Sequence, residues 1–84
     1  MKKIIIIGAG AMGSAFAVPC LDNKNDVTIV GTHLEDNLIE NINSDNHIHP
    51  VLKTQLPKEI KFEKFEKLQN ILKQNVDIIV CGVS

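Results

Sequence analysis

The sequence predicts an α/β fold built on a parallel sheet, and three observations carry that reading. β-Branched runs at Ile4–Ile7 and Val27–Val30 each end at a glycine, as in strands buried on both faces. Stretches with helical spacing alternate with such runs, which implies parallel pairing through right-handed crossovers. The first run leads straight into Gly8-Ala9-Gly10-Ala11-Met12-Gly13, a glycine-rich turn between strand and helix. Read along the chain, the order is βαβαβαβ.

From Ala11 to Leu21 the residues are small or apolar and form a tightly packed helix. Pro19 removes one backbone donor and crowds the preceding turn, so it should end or kink that helix in its last turn. Asp22 to Asp26 is a polar turn, and Val27–Val30 is the second strand, closed by Gly31. Thr32-His33-Leu34-Glu35 has the form of a capping box, with Thr32 as N-cap and Glu35 as its partner. It opens a helix with Leu38, Ile39 and Ile42 on one face. Asn43 to Pro57 has little periodicity and carries two prolines, which marks a loop. Ile60 and Phe62 alternate with charged residues, as in a short strand at the sheet edge. Phe65, Leu68 and Leu72 fall at helical spacing and are expected in the core, with lysines and glutamates forming a solvated face. Val76 to Val83 is apolar except for Asp77 and reads as a fourth buried strand. Cys20 and Cys81 sit in apolar surroundings and are expected to be small core residues.

Composition narrows the function. The net charge is −1 at pH 7, with nine lysines and no arginine, so the clustered positive charge of a nucleic-acid binder is missing. No apolar run approaches the ~20 residues of a membrane span. Met1-Lys2-Lys3 followed by Ile4–Ile7 imitates a signal peptide, but Gly8, Gly10 and Gly13 break up the apolar region, and a cytoplasmic location is expected. Two cysteines do not make a disulfide scaffold.

The glycine motif carries the chemistry. A G-x-G-x-x-G segment after a buried strand and opening a helix, within a βαβ unit, is the dinucleotide fingerprint of a Rossmann-type sheet. Gly8 is expected to make the tight turn, Gly10 to let a pyrophosphate approach the backbone, and Gly13 to let the helix sit close on the sheet. Ala11 and Met12 open that helix, whose N-terminus offers free N–H groups and a positive dipole end. No P-loop lysine follows, which argues against a triphosphate site. The second strand ends at Gly31-Thr32-His33 rather than at the acid that commonly bonds an NAD ribose. Thr32 and His33 could bond either cofactor, so NADP and NAD both stay open, with a lean to NADP. Thr32 has simple helix capping as an equal alternative. Asp26 precedes its strand and is badly placed for a ribose, and Glu35 is expected to be a capping partner. His47 and His49 lack a nearby third ligand, so a solvated loop is favoured over a metal site.

The segments IIIIGAGAMGSAFAVPCLDN, VTIVGTHLEDN, HPVLKTQLP and VDIIVCGVS together resemble the N-terminal part of NAD(P)-dependent glycerol-3-phosphate dehydrogenase. The resemblance runs through nearly the whole chain and implies reduction of dihydroxyacetone phosphate to sn-glycerol 3-phosphate for phospholipid synthesis. It places Gly8, Gly10, Ala11, Met12 and Gly13 at the pyrophosphate turn, and Gly82, Val83 and Ser84 at the cofactor crevice. It puts the catalytic lysines beyond this segment, so no residue here is expected to be catalytic. Residues 1–84 are then the first part of a Rossmann-type domain, strand order 3-2-1-4, truncated after the fourth strand. The rest of that domain and a helical substrate domain would lie elsewhere, a homodimer is kept as an open assembly state, and the segment alone should be inactive. Two alternatives remain: a pyrroline-carboxylate or ketopantoate reductase, and a nucleotide-sensing regulatory module.

Overall fold

The computed structural model describes residues 2–82, and the expectations for Val83 and Ser84 lie outside the described residues. The chain runs β1 (Lys3–Ile7), α1 (Ala11–Asp22), β2 (Asp26–Val30) and α2 (Asp36–Ser44), then a hairpin of β3 (Ile48–His49) and β4 (Thr54–Gln55). After it come β5 (Lys61–Glu63), a 3-10 turn (Phe65–Lys67) running into α3 (Leu68–Leu72), and β6 (Ile78–Cys81). One parallel sheet holds β5-β2-β1-β6 in that order. Counting only its own strands along the chain, this is the expected order 3-2-1-4.

Alternation along the strands divides the core between two faces. Ile4, Ile6, Val27, Ile29 and Phe62 point to the face covered by Ala17 of α1 and by Ile39 and Ile42 of α2. Ile5 and Val30 point to the other face, where Ile71 of α3 meets them. Gly13 and Ala17 of α1 are both buried, one turn apart, so the contact stripe of that helix is made of small residues and lies close to the sheet. The edge strand β5 buries Phe62 and exposes Lys61, and charge on an edge discourages pairing with another chain. Asp77 precedes β6, and its carboxylate accepts the Lys3 N–H at 2.8 Å. Asp26 pairs with Lys61 at 3.6 Å at the opposite end of the sheet from the glycine turn.

Pro19 lies in the last turn of α1, which ends at Asp22, one residue past the expected Leu21. The amide it lacks would have bonded Ala15, and both residues are exposed, so that carbonyl can turn to water. Several other sequence expectations are corrected. α2 opens at Asp36, because Thr32 to Glu35 form a separate turn closed by Glu35 N–H donating to Thr32 O at 2.9 Å. The stretch from Asn43 to Pro57 is no simple loop: it ends α2 and forms the antiparallel pair Ile48↔Gln55 and His49↔Thr54. Strands of two residues are too short to show a period. Phe65 is 41% exposed, and Ile71 takes the core position instead, since the 3-10 turn rotates Phe65 off the buried stripe. The strand read at Val76–Val83 is observed at Ile78–Cys81 and is largely exposed, with Ile79 at 51%. It is an edge strand paired only with β1 among the described residues. Cys81 is accordingly exposed rather than core, whereas Cys20 packs against the core and burial pushes its thiol pKa up.

Ile29 lies in the interior strand β2 and is fully buried, so Ile29→Ala should lower unfolding stability by about 2–5 kcal/mol in urea titrations.

Candidate functional site

β1, β2 and β6 all end at the same side of the sheet, and each is followed by a glycine tied to a neighbouring strand. Gly8 N–H donates to Val30 O at 2.7 Å, Gly31 N–H to Glu63 O at 3.0 Å, and Gly82 N–H to Ile7 O at 2.7 Å. The chain moves from β1 to β2 and β5 on one side, then returns to place β6 on the other. The crevice beyond β1 and β6 is therefore the switch point at which such sheets bind ligands.

The three motif glycines differ in what demands them. Gly8 has φ 114°, a conformation that other residues rarely adopt. Gly13 has no room for a side chain, because a Cβ there would stand 2.6 Å from Gly8 O. Gly10 is neither strained nor crowded: it caps α1 at φ −64°, ψ 175°, and a Cβ built on it meets no atom within 4 Å. Neither backbone conformation nor packing calls for glycine at that position.

Ala9, between these glycines, is held through both of its backbone groups. Its N–H donates to Glu35 Oε1 at 2.9 Å, and the same oxygen accepts the Thr32 N–H at 2.8 Å. Its carbonyl lies 2.9 Å from His49 Nε2 and 3.2 Å from Ser14 Oγ, which donates to it. His49 is completely buried. Its Nδ1 accepts from Val51 N–H at 3.1 Å and Leu52 N–H at 3.4 Å, so the proton sits on Nε2, which donates to Ala9 O. The solvated-loop expectation for His49 is thus corrected. His47 is also engaged, with Nε2 3.1 Å from Ile60 O and its ring edge-on to Phe62 at 5.4 Å.

Two adjoining clefts flank the glycine turn and share Gly10 and Gly82. One, of about 420 Å³, brings together Gly8, Thr32, His33 and Glu35. The other, of about 380 Å³, is lined by Ala11, Met12, Gly13, Phe16 and the end of β6. His33 is exposed at the first cleft, edge-on to Phe65 at 6.0 Å. Among the described residues, no backbone carbonyl accepts from the N–H groups of Gly10, Ala11, Met12 or Gly13. These amides and the dipole of a twelve-residue helix make a ready anion site.

Every described residue singled out from the sequence as cofactor-contacting lies at these clefts. Glu35, Ser14 and His49 were not read as site residues. The capping-box spacing did point to the bond from Thr32 N–H to Glu35, but the bond from Ala9 spans 26 residues and has no local signature. His49 reaches Ala9 across 40 residues and carried no signal either.

Gly13→Ala should cost about 1–3 kcal/mol of stability through the clash with Gly8 O. Gly10→Ala should cost under about 1 kcal/mol, the helix-cap preference for glycine. Urea midpoints in the reverse order would refute this division of roles.

Comparison with known proteins agrees with this architecture. Residues 3–84 match the family model for the NAD-dependent glycerol-3-phosphate dehydrogenase N-terminus. An NADP(+)-dependent glycerol-3-phosphate dehydrogenase from Archaeoglobus fulgidus is 37% identical over 81 residues, covering 96% of this chain and 23% of that protein. Glycerol-3-phosphate dehydrogenases [NAD(P)+] from Shouchella clausii and Bacillus pumilus are 38% and 40% identical, each across 73% of this chain. The chain spans 18% and 17% of their respective lengths, so it corresponds to less than a quarter of each of these relatives. With its matched residues spanning the whole parallel sheet and the glycine turn, the chain belongs to the NAD-dependent glycerol-3-phosphate dehydrogenase N-terminal family.

Proposed function

We propose that this segment binds NAD or NADP as the cofactor-holding part of a glycerol-3-phosphate dehydrogenase that reduces dihydroxyacetone phosphate to sn-glycerol 3-phosphate. The supporting observation is Gly10, where neither backbone strain nor crowding demands glycine and where close approach of a ligand from outside accounts for it. The pyrophosphate lies over Gly10, Ala11, Met12 and Gly13, whose free N–H groups and helix dipole suit its charge. Thr32 and His33 face the adenosine ribose in the first cleft, and Gly82 borders the path toward β6. The nicotinamide, when bound, carries the hydride; the residues of this segment bind and orient the cofactor.

The resulting glycerol 3-phosphate feeds phospholipid synthesis in the cytoplasm. No helix among the described residues is long and apolar enough to cross a membrane. Glu35 places a carboxylate in the ribose cleft after all, but its Oε1 is already shared by two backbone donors. That oxygen is therefore committed to the backbone rather than free to accept a ribose 2′-OH, and both NAD and NADP stay open.

Gly10→Val, whose Cβ meets no neighbour within the protein, should weaken NAD(P)H binding more than about tenfold, a loss of at least about 1.4 kcal/mol. Fluorescence titration of the full-length protein measures it, and unchanged affinity would refute the site. The full-length protein should also oxidise NADH or NADPH when given dihydroxyacetone phosphate. Inactivity there, with turnover of a pyrroline or ketopantoate substrate, would replace the proposed reaction.

A further inference from the structure

Ala9 is the one residue of the glycine turn flanked on both sides by glycine, and its N–H and C=O belong to two peptide planes, Gly8–Ala9 and Ala9–Gly10. Gly8 and Gly10 lack the steric limits that hold other residues in place, so the strand alone does not fix how those planes face. Three side chains from three other parts of the fold do so. Glu35, from the turn after β2, takes the N–H, while Ser14 of α1 and His49 of the hairpin take the carbonyl.

We infer that Glu35 and His49 are positioning residues for the cofactor: they lock the two peptide groups that meet at Ala9, and through them the free amides of the glycine turn, in the orientation that receives the pyrophosphate. This rests on the cofactor reading above. His49 is aimed by its own loop, since the Val51 and Leu52 N–H groups occupy Nδ1 and turn Nε2 toward Ala9. Its ring is fully buried, which makes the bond to Ala9 inaccessible to competing water. Glu35 does more than cap a turn. One oxygen takes the amides of both Ala9 and Thr32, so it ties the ribose-facing turn to the pyrophosphate turn. With the Ala9 N–H consumed in this way, the phosphate donors are left to Gly10 through Gly13.

The test uses the full-length protein, with NADH and NADPH titrated by fluorescence and steady-state kinetics at saturating second substrate. His49→Phe fills the ring's place without a donor, and His49→Gln restores an N–H. Glu35→Ala removes the acceptor, and Glu35→Gln keeps it while dropping the charge. His49→Phe and Glu35→Ala should weaken nucleotide binding about tenfold, the scale of one buried hydrogen-bond group left unpaired. The nucleotide KM should rise in parallel, kcat should fall much less, and both glutamine variants should stay close to the parent.

A purely electrostatic role for Glu35 predicts the opposite, with Ala and Gln variants both binding the anionic cofactor more tightly, and that result overturns the inference. So does unchanged affinity in His49→Phe and Glu35→Ala, or glutamine variants as weak as those two. If His49→Phe does not fold, the half-buried Glu35 pair decides alone. Lost affinity in Gly10→Val with intact affinity in the clamp variants overturns only this inference; intact affinity in all of them overturns the cofactor reading as well.

Discussion

The fold depends on how the chain leaves β1. A strand in the interior of a parallel sheet must hand over to a helix on one face, and here it does so through Gly8, Ala9 and Gly10. Only a glycine adopts the φ of 114° at Gly8 without strain, and only a glycine at 13 lets α1 settle against Gly8 O. Once α1 lies that close, its stripe of Gly13 and Ala17 covers the face that carries Ile4, Ile6, Val27 and Ile29. The core and the open helix end are thus consequences of one tight turn.

The same turn joins elements that are remote along the chain. Ala9 is bonded by residues 5, 26 and 40 positions away. The hairpin between α2 and β5 therefore reaches back to the site through His49, besides connecting two strands. Buried polar groups need partners, and none of the buried side-chain polar atoms among the described residues lacks one. The bonds to Ala9 tie the glycine turn to the β2 turn, to α1 and to the hairpin.

Much of the fold was legible because it repeats short-range patterns. The β-branched runs ending at Gly8 and Gly31 marked β1 and β2, and the spacing of Ile39 and Ile42 marked the buried face of α2. The alternation around Phe62 marked an edge strand. Illegible features were those in which a local preference met a tertiary setting. Phe65 loses the core position to Ile71 because a 3-10 turn precedes α3. Ile78 and Ile79 are apolar yet exposed because, among the described residues, β6 pairs only with β1 and little packs over its faces.

For the site, the sequence alone determined the parallel α/β class, the glycine turn and the family, since each is written in contiguous residues whose spacing has a direct steric meaning. The partners of the Ala9 backbone groups were decided only by the tertiary structure. Glu35 and His49 reach it across 26 and 40 residues, and a hydrogen bond over that distance leaves no periodic trace. It exists because folding brings the β2 turn and the hairpin to the same end of the sheet, where a buried carbonyl and a buried imidazole must satisfy each other.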